Sequence, residues 1–152
     1  MRLNAGFSLI EVLVSLVILS IGLLGVAALQ LNGLRYTQGA YQSSQATVAL
    51  SDLVDRMRTN PDLEAAKSIY TFNTEEDTVP TDPGCNEAGC NAQELARLDV
   101  RQWRRVALAR LASGEATVEL DGDVYTLTLT WHEATDPDGD SEVREAKTSV
   151  RL

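Results

Sequence analysis

Between Leu9 and Leu29 the chain reads LIEVLVSLVILSIGLLGVAAL, and its only polar side chains there are Glu11, Ser15 and Ser20. Counted from Phe7, the apolar run is about 23 residues long, close to the ~20 a helix needs to cross a ~30 Å hydrocarbon core. A cleaved secretory signal fits less well, because its apolar region runs only about 7–15 residues and ends at a small-x-small site. Ala27-Ala28-Leu29 matches such a site poorly. A single-pass anchor is the better reading. The flank before it carries Arg2 and no acid, while the residues beyond are acid-rich. Positive-inside logic then leaves the N-terminus in the cytoplasm and the body outside.

Glu11 is the anomaly in this run. An ionised carboxylate in the bilayer interior costs about 2.5–3.5 kcal/mol even on the lenient insertion scale. Standing alone, it could snorkel to the nearby interface. It does not stand alone, because Gly6-Phe7 lies just before it and a short basic leader precedes both. The stretch GFSLIEVLVSLVILSIGLLG resembles the N-terminal signature of type IV pilin-like proteins. In that family prepilin peptidase cuts after the glycine, the new phenylalanine amine is methylated, and a glutamate follows four residues later. The resemblance implies cleavage between Gly6 and Phe7, N-methylation of Phe7, and an assembly-register role for Glu11. Positions i and i+4 share a helix face, so the Phe7 amine and Glu11 can pair within one chain. Across two chains, the same pair would neutralise a buried acid only in the correct axial register.

With 152 residues and a formal net charge of -9, the chain suits an anchor plus one modest exported domain. Phosphate contacts need clustered Lys and Arg, so nucleic acid is not an expected partner of so acidic a body. Two cysteines, Cys85 and Cys90, stand in the exported part. In an oxidising compartment a lone pair reads as a disulfide, worth about 2 kcal/mol by loop-closure arguments. A zinc site would need two further ligands, and the only histidine, His132, is far off in sequence.

Past the anchor, Ala46, Leu50, Leu53 and Met57 keep an apolar stripe at helical spacing until Asn60-Pro61 stops it. Residues 61–70 suit one or two helical turns, and 71–91 read as a loop pinned by the cysteine bridge. QELARLDVRQWRRVALARL then predicts an amphipathic helix ended by Ser113-Gly114. Ala96, Val100, Trp103, Ala107 and Leu111 form its inner face, with Arg97, Arg101, Arg104 and Arg105 mostly opposite on a solvated one. Asp121-Gly122 reads as a two-residue hairpin turn pairing Leu120 with Asp123 and Val118 with Tyr125. The following strand turns Tyr125, Leu127, Leu129 and Trp131 inward, and KTSVRL returns as a third strand with Val150 and Leu152 facing in. In EATDPDGDSE, the acids Asp136, Asp138, Asp140 and Glu142 are calcium candidates. Gly139 comes too early for an EF-hand and Lys147 stands where its bidentate glutamate should be. A solvated hairpin loop is the preferred reading, and no metal or other cofactor is expected.

The expected fold is α+β and pilin-like: a long N-terminal helix, membrane-spanning in its first half, packed against a small antiparallel sheet. The expected segments are a leader 1–6, an anchor and filament-core helix 7–29, the outer half of that helix 30–60, and a headgroup 61–152 with a disulfide loop 85–90. LSIGLLGVAALQ, LSDLVDRMRTNP, the loop cysteines, Trp103 and a strand ending TLTW most resemble PilV-type minor pilins. Principal filament subunits often carry a proline in the apolar segment, and none occurs here before Pro61. The resemblance implies a minor pilin in the priming or tip complex of a type IV pilus, in the inner membrane with a periplasmic headgroup. Its implied partners are other minor pilins, the major pilin, prepilin peptidase and the inner-membrane assembly platform. The competing reading is a minor pseudopilin at the tip of a type II secretion pseudopilus. An enzyme is not expected, for the chain lacks a nucleophile–base constellation and a Gly-rich phosphate loop.

Overall fold

A computed structural model describes residues 8–85, 89–134 and 141–152. It divides into two units between Gln38 and Gly39. Helix α1, Leu9–Thr59, contributes to both. Among the described residues of the first unit the helix is the only element, and its apolar side chains lie in the open: Leu9, Leu24 and Leu29 are 78%, 70% and 73% exposed. Burying a Leu, Ile or Val side chain is worth about 1.5–3 kcal/mol, so a run of this kind is built for surroundings other than water.

In the second unit the helix acquires a face. Ala46, Leu50, Leu53 and Met57 are buried as the stripe predicts, Val54 joins them, and α1 ends at Thr59 as Asn60-Pro61 requires. Helix α2, Leu63–Tyr70, follows with Asp62 as N-cap, its side chain accepting from the Ala65 N–H. Helix α3, Ala92–Ala107, opens on a capping box in which Asn91 and Glu94 satisfy each other's backbone N–H. The predicted inner face of α3 is buried throughout, at Ala96, Val100, Trp103, Ala107 and Leu111. The helix ends earlier than Ser113-Gly114, passing through a single 3-10 turn at Leu108–Arg110.

Four antiparallel strands form one sheet in sequence order: β1 (Phe72–Asn73), β2 (Glu115–Asp121), β3 (Val124–Ala134) and β4 (Ser141–Arg151). Two-residue β1 was hidden in what the sequence presents as loop. The β2–β3 register differs from expectation: Leu120 faces Tyr125 and Val118 faces Leu127, leaving Gly122 and Asp123 as the turn residues. The cause is backbone conformation. Gly122 sits at φ +58° while Asp123 keeps negative φ, the demand of a glycine-first turn rather than one needing both residues left-handed. The correction is two residues in pairing, so the facing survives. Tyr125, Leu127, Leu129 and Trp131 are buried, β4 adds half-buried Ala146 and Val150, and Leu152 just past its end packs there too. This inner face packs with the α1 stripe and the α3 face into one hydrophobic core, the α+β layering expected of these elements.

Candidate functional site

Two places in the chain carry more than packing, one in each unit. The first is the start of α1. Ser8 supplies the opening carbonyl, accepting from the N–H groups of Glu11 (3.0 Å) and Val12 (3.3 Å). Glu11 lies in the first turn, where a carboxylate suits the positive end of the helix dipole. Ser15 Oγ donates to the Glu11 carbonyl and Ser20 Oγ to the Leu16 carbonyl, each at 2.7 Å. Both hydroxyls are thereby satisfied inside their own helix, as an apolar medium demands. Between Leu9 and Leu29 the third polar side chain, the Glu11 carboxylate, has no such bond among the described residues. Gly6 and Phe7 lie outside the described residues.

Glycines Gly22, Gly25 and Gly33 add a second property to this helix. A Cβ at any of them would meet nothing within 4 Å. Packing within the chain therefore does not call for glycine there, while close approach by another helix would.

The second place is the polar knot joining α1, α2 and α3. Asn60 Nδ2 donates to Tyr70 Oη at 3.2 Å and to the Ala92 carbonyl at 2.9 Å. Tyr70 Oη donates in turn to Asp99 Oδ2 at 2.7 Å. Asp99 also takes Arg56 Nη1 at 3.2 Å, and Arg56 Nε reaches Asp52 Oδ2 at 3.1 Å. Burial, then the bond to Asp99, pushes the Tyr70 hydroxyl above its ordinary pKa. Trp103 adds a further tie, its Nε1 donating to the Ala49 carbonyl at 2.7 Å. These residues are structural: they fix the end of α1 against the helices that follow.

Arg104 departs from the solvated face expected for it. It is only 7% exposed, and its guanidinium donates to the carbonyls of Thr74 (3.3 Å), Asp77 (3.0 Å) and Thr78 (3.3 Å). Its Cζ also lies 5.8 Å from the Phe72 ring centroid. Desolvation lowers its pKa from the ordinary arginine value. Arg101 joins in by donating to the Pro80 carbonyl at 3.1 Å. The long stretch before α3 is thus held from above by two arginines. Asn73 and Asp77 tie it locally, the Asn73 N–H reaching Asp77 Oδ2 at 2.7 Å. The Cys85–Cys90 disulfide forms as expected, with a Cα–Cα distance of 5.3 Å, immediately before the α3 cap.

Of the calcium candidates, Asp136, Asp138 and Asp140 lie outside the described residues. Glu142 is exposed and pairs with Arg144 at 3.3 Å. No group of three potential metal ligands occurs among the described residues. His132 is exposed beside buried Trp131, its Nδ1 3.3 Å from Ser141 Oγ.

Compared with known families, residues 1–27 match the prokaryotic N-terminal methylation motif, and residues 28–101 match the model described as type IV pilin Tt1218. No curated protein and no solved structure matches the chain.

Proposed function

The chain is a type IV pilin-like protein, and on that premise we propose that it is a minor pilin, a structural subunit of the complex that primes or caps type IV pilus assembly. The observation that carries the proposal is Glu11. Of the three polar side chains between Leu9 and Leu29, it is the one without a hydrogen bond among the described residues, on a segment whose side chains are all exposed. Leader 1–6 would be removed by prepilin peptidase between Gly6 and Phe7, exposing a cationic amine that is then methylated. That amine would stand four residues before Glu11 in sequence, and the matching amine of a neighbouring subunit would meet the carboxylate only in correct axial register. Before assembly, α1 would hold the chain in the inner membrane, N-terminus inside, with the second unit in the periplasm. The absence of a proline before Pro61 supports a minor rather than a principal subunit.

Such a subunit works by position rather than by chemistry. The bare apolar helix supplies non-directional affinity for other helices, and the acid supplies register. Gly22, Gly25 and Gly33 allow close approach, and the packed unit presents a surface to its neighbours. The test is recovery of the protein from a host with an active pilus system. The mature chain should begin at N-methyl-Phe7 by mass spectrometry and should copurify with the other minor pilins after crosslinking. An uncut N-terminus ends the proposal. Copurification with the subunits of a secretion pseudopilus instead would transfer the same role to that machine.

A further inference from the structure

Helix α3 repeats arginine every four residues at Arg97, Arg101 and Arg105, with Arg104 and Arg110 close by, in a chain of net charge -9. Like charges at this spacing destabilise a helix, so the stripe does not serve the stability of α3. It borders a groove of about 280 Å³ lined by Val79, Arg101, Arg104, Arg105 and Leu108. Val79 is 52% exposed for an aliphatic side chain and forms an apolar wall. Arg104 is committed to the loop carbonyls, and its buried Nε has no acceptor among the described residues. Arg101 spends one Nη on the Pro80 carbonyl, and its only ion pair among the described residues is a long one with Asp82, 3.9 Å, so donors of its half-exposed guanidinium are left for a ligand. Arg105 is exposed and forms no ion pair among the described residues.

We propose that this groove is a docking site for an acidic peptide segment of a partner protein, with a carboxylate held by Arg101 and Arg105 and an adjacent aliphatic side chain against Val79 and Leu108. Charge complementarity selects the occupant. The groove is a small cationic site on an otherwise acidic molecule, so long-range repulsion excludes extended polyanions while a local carboxylate is attracted. Nucleic acid fits poorly for a second reason: the nearby aromatics Phe72 and Trp103 are buried and offer no face on which a base could stack. Joined to the function proposed above, the partner is a neighbouring pilin headgroup. The groove itself depends only on α3 and the loop it braces, so its failure would leave the Glu11 reading untouched.

The experiment uses the full chain in nanodiscs of neutral phosphatidylcholine, with empty nanodiscs as control. Fluorescence anisotropy follows three labelled probes: a peptide alternating glutamate and leucine, its glutamine-for-glutamate counterpart, and a short single strand of DNA. The glutamate peptide is expected to bind with strong salt dependence and the other two only weakly. Arg105→Gln should weaken that binding about fivefold, the scale of one exposed charge pair. Arg105→Glu should abolish it and confer binding of a lysine-for-glutamate peptide. Because Arg105 braces nothing, an unchanged thermal transition is expected in both variants. Equal binding of the glutamine peptide, indifference to Arg105, tighter binding of DNA, or no binding at all would each overturn the proposal.

Discussion

Tyr70 and Asp99 are 29 residues apart in sequence, yet the tyrosine hydroxyl donates to the carboxylate at 2.7 Å within the buried junction of α2 and α3. The same carboxylate faces Arg56 from the last turn of α1, so one acid holds three helices. Removing it leaves a buried hydroxyl and a half-exposed guanidinium without their acceptor. Asp99→Ala should lower unfolding stability by about 2 kcal/mol, less than a fully buried pair would lose because Arg56 is partly solvated. Urea denaturation of the detergent-solubilised chain, followed by tryptophan fluorescence, measures this.

The same contact sets an alkaline limit. The folded state holds Tyr70 protonated and raises its pKa, first by burial and then through Asp99. The contribution is therefore complete below the ordinary tyrosine value of about 10 and is lost as pH rises above it. The stability advantage of the native chain over Tyr70→Phe should be constant at neutral pH and shrink above about pH 10. An advantage that stayed flat through that range would mean the hydroxyl is not held as described.

Arg104 should prove the least replaceable of the α3 arginines. Its donors tie together the carbonyls of Thr74, Asp77 and Thr78 from a largely buried guanidinium. Arg104→Met keeps the stem and removes the donors, and we expect a loss of about 2–3 kcal/mol. Arg97→Met, on an exposed neighbour, should stay within about 0.5 kcal/mol. Hydrogen exchange of the amides of 74–79 should rise in the Arg104 variant alone.

Reduction of the Cys85–Cys90 bridge should act locally. A bridge closing so short a loop constrains the unfolded chain by about 2 kcal/mol. Its position next to the Asn91 cap directs the effect to the start of α3. The double variant Cys85→Ser/Cys90→Ser should lower the thermal midpoint while leaving the helix content of the folded protein unchanged by circular dichroism.

Most of this architecture was legible in periodicity. The α1 stripe from Ala46 to Met57, the α3 face from Ala96 to Leu111 and the alternation through Trp131 are local patterns, and each is buried as its spacing requires. The hairpin register was not legible, because Asp121-Gly122 and Gly122-Asp123 both satisfy turn composition and only the dihedrals at Gly122 separate them. The polar knot also escaped, although signals for it existed. Asp99 sits among Ala96, Val100 and Trp103 on the apolar face, and Arg104 follows Val100 by one turn; a charge at a core position implies a partner without identifying it. Loop carbonyls leave no trace in sequence, so the role of Arg104 had none to leave. At the start of the chain the pattern Gly6-Phe7 with Glu11 is a linear one, readable without a fold, and the methylation motif matches over residues 1–27.

On the proposed function, Glu11→Val should separate anchoring from axial register. Valine removes a group that costs about 2.5–3.5 kcal/mol in hydrocarbon, so membrane insertion should be unimpaired or improved. Cleavage after Gly6 should persist, since the scissile bond and its leader are unchanged. What should fail is selection. With the carboxylate gone, a neighbouring amine has no acid to meet, and subunits displaced along the helix axis become as acceptable as aligned ones. Recruitment into the minor-pilin complex, read by crosslinking between engineered cysteines on adjacent α1 helices, should fall by about tenfold or more if mispairing costs at least ~1.4 kcal/mol. Glu11→Asp keeps the charge on a shorter stem and should recover part of that loss, whereas Glu11→Gln, neutral but the same length, should not. A Glu11→Val protein that crosslinks as efficiently and in the same register as the native chain would make this acid a tolerated passenger of the membrane surface.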